Sequence, residues 1–194
     1  GEESGRITAG EINETLEGTE VSIRGTWMLN WLDENTLYFT EKGTLYTYDI
    51  INKTTAAQYT MAAGNGNLHL SSELNAAYTV GNNVFVNWMG DESTVQVTKH
   101  EDPNVVAGQA IARSEFGITE GLFWNNAGNA MAFYEKNESA VANYPLLDIS
   151  TTPGSLNEIK YPMAGQSSEY ARVGVYHKGK KSPVYLDTDG VEHD

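Results

Sequence analysis

The feature that most constrains this chain is a unit that recurs: a short apolar strand, a turn rich in Asn, Asp or Ser, and a second strand. It reads LNWLDENTLYFT at 29–40, LHLSSELNAAYT at 68–79 and LFWNNAGNAMAF at 122–133. A further strand pair follows each unit. EKGTLYTYDIINKTTAAQYT (41–60) turns at Lys42-Gly43 and Asn52-Lys53, and VGNNVFVNWMGDESTVQVT (80–98) turns at Gly81–Asn83 and Gly90–Glu92. RVGVYHKGKKSPVYLDT (172–188) closes the third unit late. Aromatic and β-branched residues between turn formers favour strands. Four short antiparallel strands repeating every ~40 to 45 residues are the sequence sign of a β-propeller, whose blades lean on their neighbours for a core. The expected fold class is therefore all-β: a partial β-propeller of three or so four-stranded antiparallel blades, near 21–60, 61–100 and 119–190. Period alone leaves a β-sandwich or irregular barrel open, because their strands recur at similar spacing.

Two stretches, 99–120 and 138–171, do not fit the repeat and read as insertions. The interval from Leu68 to Leu122 exceeds that from Leu29 to Leu68, and the excess falls between Thr98 and Gly121. ARSEFGITEG is thus an insertion ahead of the third blade's first strand. Residues 1–20 form an N-terminal segment in which Ile12 and Leu16, at i and i+4, suit one short helix with Thr8 as its N-cap.

Composition removes several function classes. Lys and Arg number 12 against 26 Asp and Glu, giving a net charge of −14. Phosphate binding needs clustered cations, so nucleic acid is excluded as a partner, and adsorption to anionic membranes is disfavoured. No apolar run approaches the roughly 18 residues of a membrane span, so no membrane insertion is expected. There is no cysteine, hence no disulfide and no Cys-based zinc site. The opening GEESGR has no signal-peptide pattern, but a leading Gly is what tag removal leaves, so this says little about location.

Other candidates are readily given plainer readings. DTDGVE (187–192) resembles the start of a calcium loop but lacks the ligand series that ends in a bidentate Glu, so it reads as a strand-end turn. No metal and no cofactor is expected. The sequons at Asn13, Asn52 and Asn137 matter only in a eukaryotic source. Trp31, Trp88 and Trp124 sit inside strands with apolar neighbours, which favours core packing over a carbohydrate-binding β-sandwich.

From about Trp27 to Thr188 the chain resembles the N-terminal propeller of the dipeptidyl peptidase IV family of serine peptidases, including its bacterial prolyl tripeptidyl aminopeptidase relatives. The resemblance is carried by GQAIARSEFGITEGLFWNNAGNAMAFYEKNESAV (108–141). That stretch is similar to the group's G-x-x-x-x-R-x-E-F-G-I followed by F-W-S-P-x-G-x-x-L-A-F-Y. YPLLDI (144–149), IKYPMAG (159–165) and RVGVY (172–176) then match in order and approximate spacing. Asn125-Asn126 stands where the family usually has Ser-Pro; either pair forms a turn.

The resemblance implies an eight-bladed propeller of roughly 350 residues at this repeat length, followed by an α/β-hydrolase domain that carries the catalytic Ser, Asp and His. This chain has no G-x-S-x-G elbow, and His69, His100, His177 and His193 sit in no recognised nucleophile arrangement. It therefore contributes no catalytic residue, and peptide hydrolysis by this chain alone is not expected. In the resembled enzymes the insertion before this blade reaches over the active site, where its acid holds the substrate's free α-amino group. Glu115 occupies that position. Arg113 beside it steers the carboxylate or contacts substrate carbonyls. The single acid, next to Ser114 rather than a second Glu, leaves dipeptidyl and tripeptidyl release both open.

The implied partners are a peptide with a free N-terminus and the absent hydrolase domain. Uncovered blade edges in an incomplete propeller imply self-association, with strand exchange as one route. YEKNESAVANYPLLD (134–148) opens the implied extension arm toward a partner subunit. The implied location is exported, periplasmic or outer-membrane associated in a Gram-negative bacterium. A stand-alone binding or scaffolding propeller is the alternative, since one fold serves many functions; a G-x-S-x-G elbow downstream in the reading frame separates the two.

Overall fold

The computed structural model describes residues 5–187, with the backbone alone for Arg113. The calcium-loop reading at 187–192 and His193 therefore lie outside the described residues, Asp187 excepted.

The short helix forms as its sequence requires. Helix α1 spans Ala9–Thr15, and Thr8 caps it: the hydroxyl accepts from the Glu11 amide while the Glu11 carboxylate accepts from the Thr8 amide. This capping box satisfies two otherwise orphaned donors. Ile12 and Leu16 then drop onto the first sheet, against Leu37, Phe39 and Tyr48.

That sheet is a meander of β1 (Asn30–Trp31), β2 (Thr36–Glu41), β3 (Thr44–Asp49) and β4 (Thr54–Thr60). The second runs in the same order through β5 (Asn65–Leu70), β6 (Ala76–Val80), β7 (Asn83–Asn87) and β8 (Thr94–Gln96). Lys42 and Gly43, with φ of 49° and 78°, make the two-residue turn between β2 and β3. Positive φ at both central residues matches the right-handed strand twist.

The third sheet holds β9 (Val105–Ala107), β10 (Leu122–Trp124), β11 (Ala130–Asn137), β14 (Tyr170–His177) and β15 (Val184–Tyr185). Between β11 and β14 the chain leaves as a separate hairpin, β12 (Asn143–Asp148) with β13 (Ser155–Lys160). Two four-stranded antiparallel sheets followed by this five-stranded one are consistent with a partial propeller.

The packing explains why β6 is buried on both faces. Along β6, Ala76 and Tyr78 join the cluster shared with Leu45, Tyr59 and Met61 of the first blade and its exit. Ala77, pointing the other way, joins Leu122, Met131 and Phe133 of the third. Side chains alternate between faces with period two, so a strand sandwiched between two sheets must be apolar on both. Trp88 lies in that second cluster with Trp124 edge-on at 5.5 Å, as their apolar neighbours implied. Trp31 corrects the expectation of core packing: it is 62% exposed, because β1 is a two-residue edge strand with nothing among the described residues packed outside it.

The turns of neighbouring blades also touch. Asn75 donates to the Gly128 carbonyl at 2.9 Å and accepts from the Met89 amide at 2.7 Å. In the third blade's turn the Asn125 side chain accepts from the amides of Asn129 and Ala130, so Asn closes this loop without the Ser-Pro pair. Among the described residues no helix is long and apolar enough to cross a membrane.

Candidate functional site

The stretch that breaks the repeat is an excursion from inside a strand position rather than a segment ahead of the blade. Strands β9 and β10 lie along the same edge of β11. Val105 to Ala107 face Asn137 to Glu135, while Leu122 to Trp124 face Phe133 to Met131. Tyr134 falls between the two runs. Its carbonyl accepts from the Gly108 amide at 2.8 Å, and its amide donates to the Gly121 carbonyl at 3.0 Å. The interrupted edge strand is thus bridged by one residue of β11, and residues 109–120 stand out from it as a loop with a closed neck.

Glycines make that neck possible. Gly108 has φ +75°, and a side chain there would press on Val84, Thr79 and Leu122. At Gly121 a Cβ would lie 2.3–2.6 Å from the backbone of Gln109, the first residue of the loop. Backbone cannot swing aside as a side-chain tip can. Gly121→Ala is therefore expected to open the neck while the rest of the blade persists. Amide exchange at Tyr134 and Gly108 checks it: both amides should lose protection, whereas Val84 and Val86 should not.

The loop carries a 3₁₀ turn over Ala112–Gly117 with unusual backbone. Ala112, Ser114 and Phe116 have φ of 50°, 62° and 56°. Each such non-glycine residue costs on the order of 1–3 kcal/mol, and persists only where surroundings impose it. Besides the neck, the Ala112 amide donates to Oε1 of Glu169 at 2.9 Å, and Glu120 meets His69 Nε2 of β5 at 3.2 Å.

Glu115 sits within this turn and faces solvent, with Phe116 beside it 88% exposed. No described side chain ties up the Glu115 carboxylate. At the foot of the turn a cavity of about 250 Å³ is lined by Gly117, Ile118, Thr119, Glu120, Phe123 and Tyr134. Phe123 and Tyr134 meet edge to face there at 5.2 Å. Chemically the loop presents an exposed carboxylate two residues before Gly117, the first residue that lines an aromatic-floored hollow. The Arg113 side chain lies outside what the structure describes; its backbone falls in the same turn.

One cluster was not evident from the sequence. Glu135, next to the neck-bridging Tyr134, is 3% exposed. Its carboxylate accepts from Arg172 Nε at 2.8 Å, from the Tyr185 hydroxyl, and meets His100 Nε2 at 2.8 Å. The Arg172 guanidinium also lies 3.7 Å above the Tyr185 ring. Burial first, then the Glu135 carboxylate, pushes the Tyr185 phenol up. The partners are 35 to 50 residues away in sequence, so no local motif announces them. One signal was present: in AMAFYEKN, Glu135 continues the inward series Met131, Phe133. Of the histidines, His100 is thus paired with Glu135, and His69 with Glu120. Among the described residues no group of His, Asp or Glu could hold a metal ion.

The family described as the dipeptidyl peptidase IV (DPP IV) N-terminal region matches residues 33–193. A dipeptidyl-aminopeptidase B of Fusarium vanettenii is 27% identical over 130 residues, covering 59% of this chain and 14% of that protein. Its namesake from Tuber melanosporum is 28% identical over 126 residues, covering 54% and 14%. Among solved structures, a protein described as a dipeptidyl aminopeptidase IV from Bacteroides ovatus superposes with a TM-score of 0.82 and 34% identity, covering 97% of this chain and 26% of that one. Porphyromonas gingivalis dipeptidyl peptidase 4 gives a TM-score of 0.62 at 20% identity, over 84% and 24%, which bears on the fold alone. The chain thus spans only a small part of the relatives it matches.

Proposed function

This chain belongs to the family of the dipeptidyl peptidase IV N-terminal region, and from that premise we propose that it serves a serine exopeptidase as gate and as anchor for the substrate's α-amino group. The observation that carries the reading is the presentation of Glu115: unpaired among the described side chains, exposed, and fixed on a strained turn lifted off the blade by a closed neck. An α-ammonium brings three donors and one charge to a single point. A carboxylate held at a set height above a catalytic serine pairs with that charge and so measures how many residues lie between the N-terminus and the scissile bond. Arg113 takes the supporting role, steering the carboxylate or meeting substrate carbonyls. The nucleophile belongs to an α/β-hydrolase domain beyond this chain, and the setting is an exported one, periplasmic in a Gram-negative bacterium.

The test uses the chain as it stands. Trialanine amide, titrated into the isotope-labelled chain, should shift the backbone resonances of residues 112–117. Its N-acetylated form, identical but for the charge and donors, should leave them in place. Equal shifts with both peptides would refute the anchor.

A second copy of the chain is the proposed partner of the arm β12–β13. A two-stranded hairpin is marginal by itself in water, and this one exposes Leu147 and Leu156 at 66% and 69%, with Leu146, Ile149 and Ile159 also open. Replacing Leu147 and Leu156 together by Asp should shift sedimenting dimers to monomers. A wild-type chain that sediments as a monomer at micromolar concentration would count against this partner.

A further inference from the structure

We infer that Glu169 is a positioning residue for the Glu115 site, an inference that rests on the anchor reading above. Glu169 precedes β14, whereas the excursion springs from the β9–β10 edge, and β11 lies between those two sides of the sheet. Its Oε1 nevertheless accepts the Ala112 amide at 2.9 Å, across 57 residues of sequence. Ala112 opens the strained turn and is itself in the left-handed region, with φ 50°.

A left-handed Ala relaxes unless something holds it. The neck fixes where the loop leaves the blade, and the contact between Glu120 and His69 fixes where it returns. Neither reaches the start of the turn. Glu169 does, with a carboxylate that receives a backbone donor in a charge-assisted bond. Three residues further on stands Glu115, whose carbonyl accepts the Ile118 amide at 3.0 Å and closes the turn. With Ala112 held, the path from Ala112 to Ile118 has one shape and the Glu115 carboxylate one height. With Ala112 released, the alternating left-handed residues are free to relax and the carboxylate loses its fixed height. Glu169 thus acts through the backbone without touching the peptide.

The experiment compares Glu169→Ala, Glu169→Gln and Glu115→Gln with the wild-type chain, reading two quantities. One is the affinity for trialanine amide relative to its N-acetyl form; the other is hydrogen exchange at the Ala112 amide. Glu169→Ala should weaken amine-dependent binding about tenfold or more, in line with loss of a hydrogen bond to a charged group, and should speed exchange at Ala112. Glu169→Gln, whose side-chain oxygen can accept the same amide, should restore most of both. Unchanged resonances in β6 and β7 establish that each variant is folded. If Glu169→Ala leaves either Ala112 exchange or amine-dependent binding at the wild-type value, the inference is overturned. Glu115→Gln separates the two claims. It should abolish the preference for the free amine while Ala112 stays protected; a preference that survives it refutes the anchor, and with it the positioning role.

Discussion

Glu115→Gln, introduced into the full-length protein that carries this chain, is expected to lower kcat/KM for a peptide with a free N-terminus by about 100-fold, or about 2.7 kcal/mol of transition-state stabilisation. The substitution keeps the size and shape of the side chain and removes its charge. In the open chain Glu115 is solvated; on the proposed anchor role its contribution, present but small there, grows when a second domain closes over it and shields the ammonium–carboxylate pair from water. Because the proposed anchor would also set register, part of the loss should appear in kcat and not only in KM. The same substitution should cost almost nothing against an N-acetylated peptide, which has no ammonium to lose. Equal losses on both peptides would mean that Glu115 supports the loop rather than the substrate.

The second large effect concerns stability. Glu135→Ala should destabilise the domain by about 2–3 kcal/mol, since it removes a buried charged acceptor that serves Arg172, His100 and the Tyr185 hydroxyl, while Arg172 stays partly open to water. For a domain of this size that corresponds to a fall of roughly 5–10 °C in Tm. The carboxylate is 3% exposed and serves Arg172, His100 and Tyr185 together, drawing β14, β15 and the approach to β9 onto β11. The exposed pair of Lys42 with Glu20 sets the contrast: surface ion pairs contribute little, and breaking it should barely move the midpoint. Urea denaturation of the two variants side by side checks the difference. Similar midpoints would show that the cluster adds nothing beyond a surface pair.

What could be read in advance follows from what is local. The two-residue turn at Lys42-Gly43, the Thr8 cap and the recurring strand pairs each depend on neighbours in sequence, and those appear in the structure. The double-faced apolar character of β6 was legible as composition, though not which face met which sheet. The excursion was visible as a lengthened interval. That it interrupts a strand was not, because the pairing of Val105–Ala107 with β11 spans about 30 residues and rests on no motif. Trp31 misled because an apolar strand pattern does not say whether the strand has an outer neighbour. Glu135 and Glu169 were unread for the same reason: each is an ordinary acid until the fold delivers its partners.

The most direct test of the central claim is a co-crystal structure of this chain, or of the protein containing it, with trialanine amide. The account predicts the peptide's terminal nitrogen within roughly 4 Å of the Glu115 carboxylate, as an ion pair requires, with the peptide running away from the turn Ala112–Gly117. A peptide bound with its amino terminus in solvent, or paired to an acid elsewhere on the chain, would contradict it.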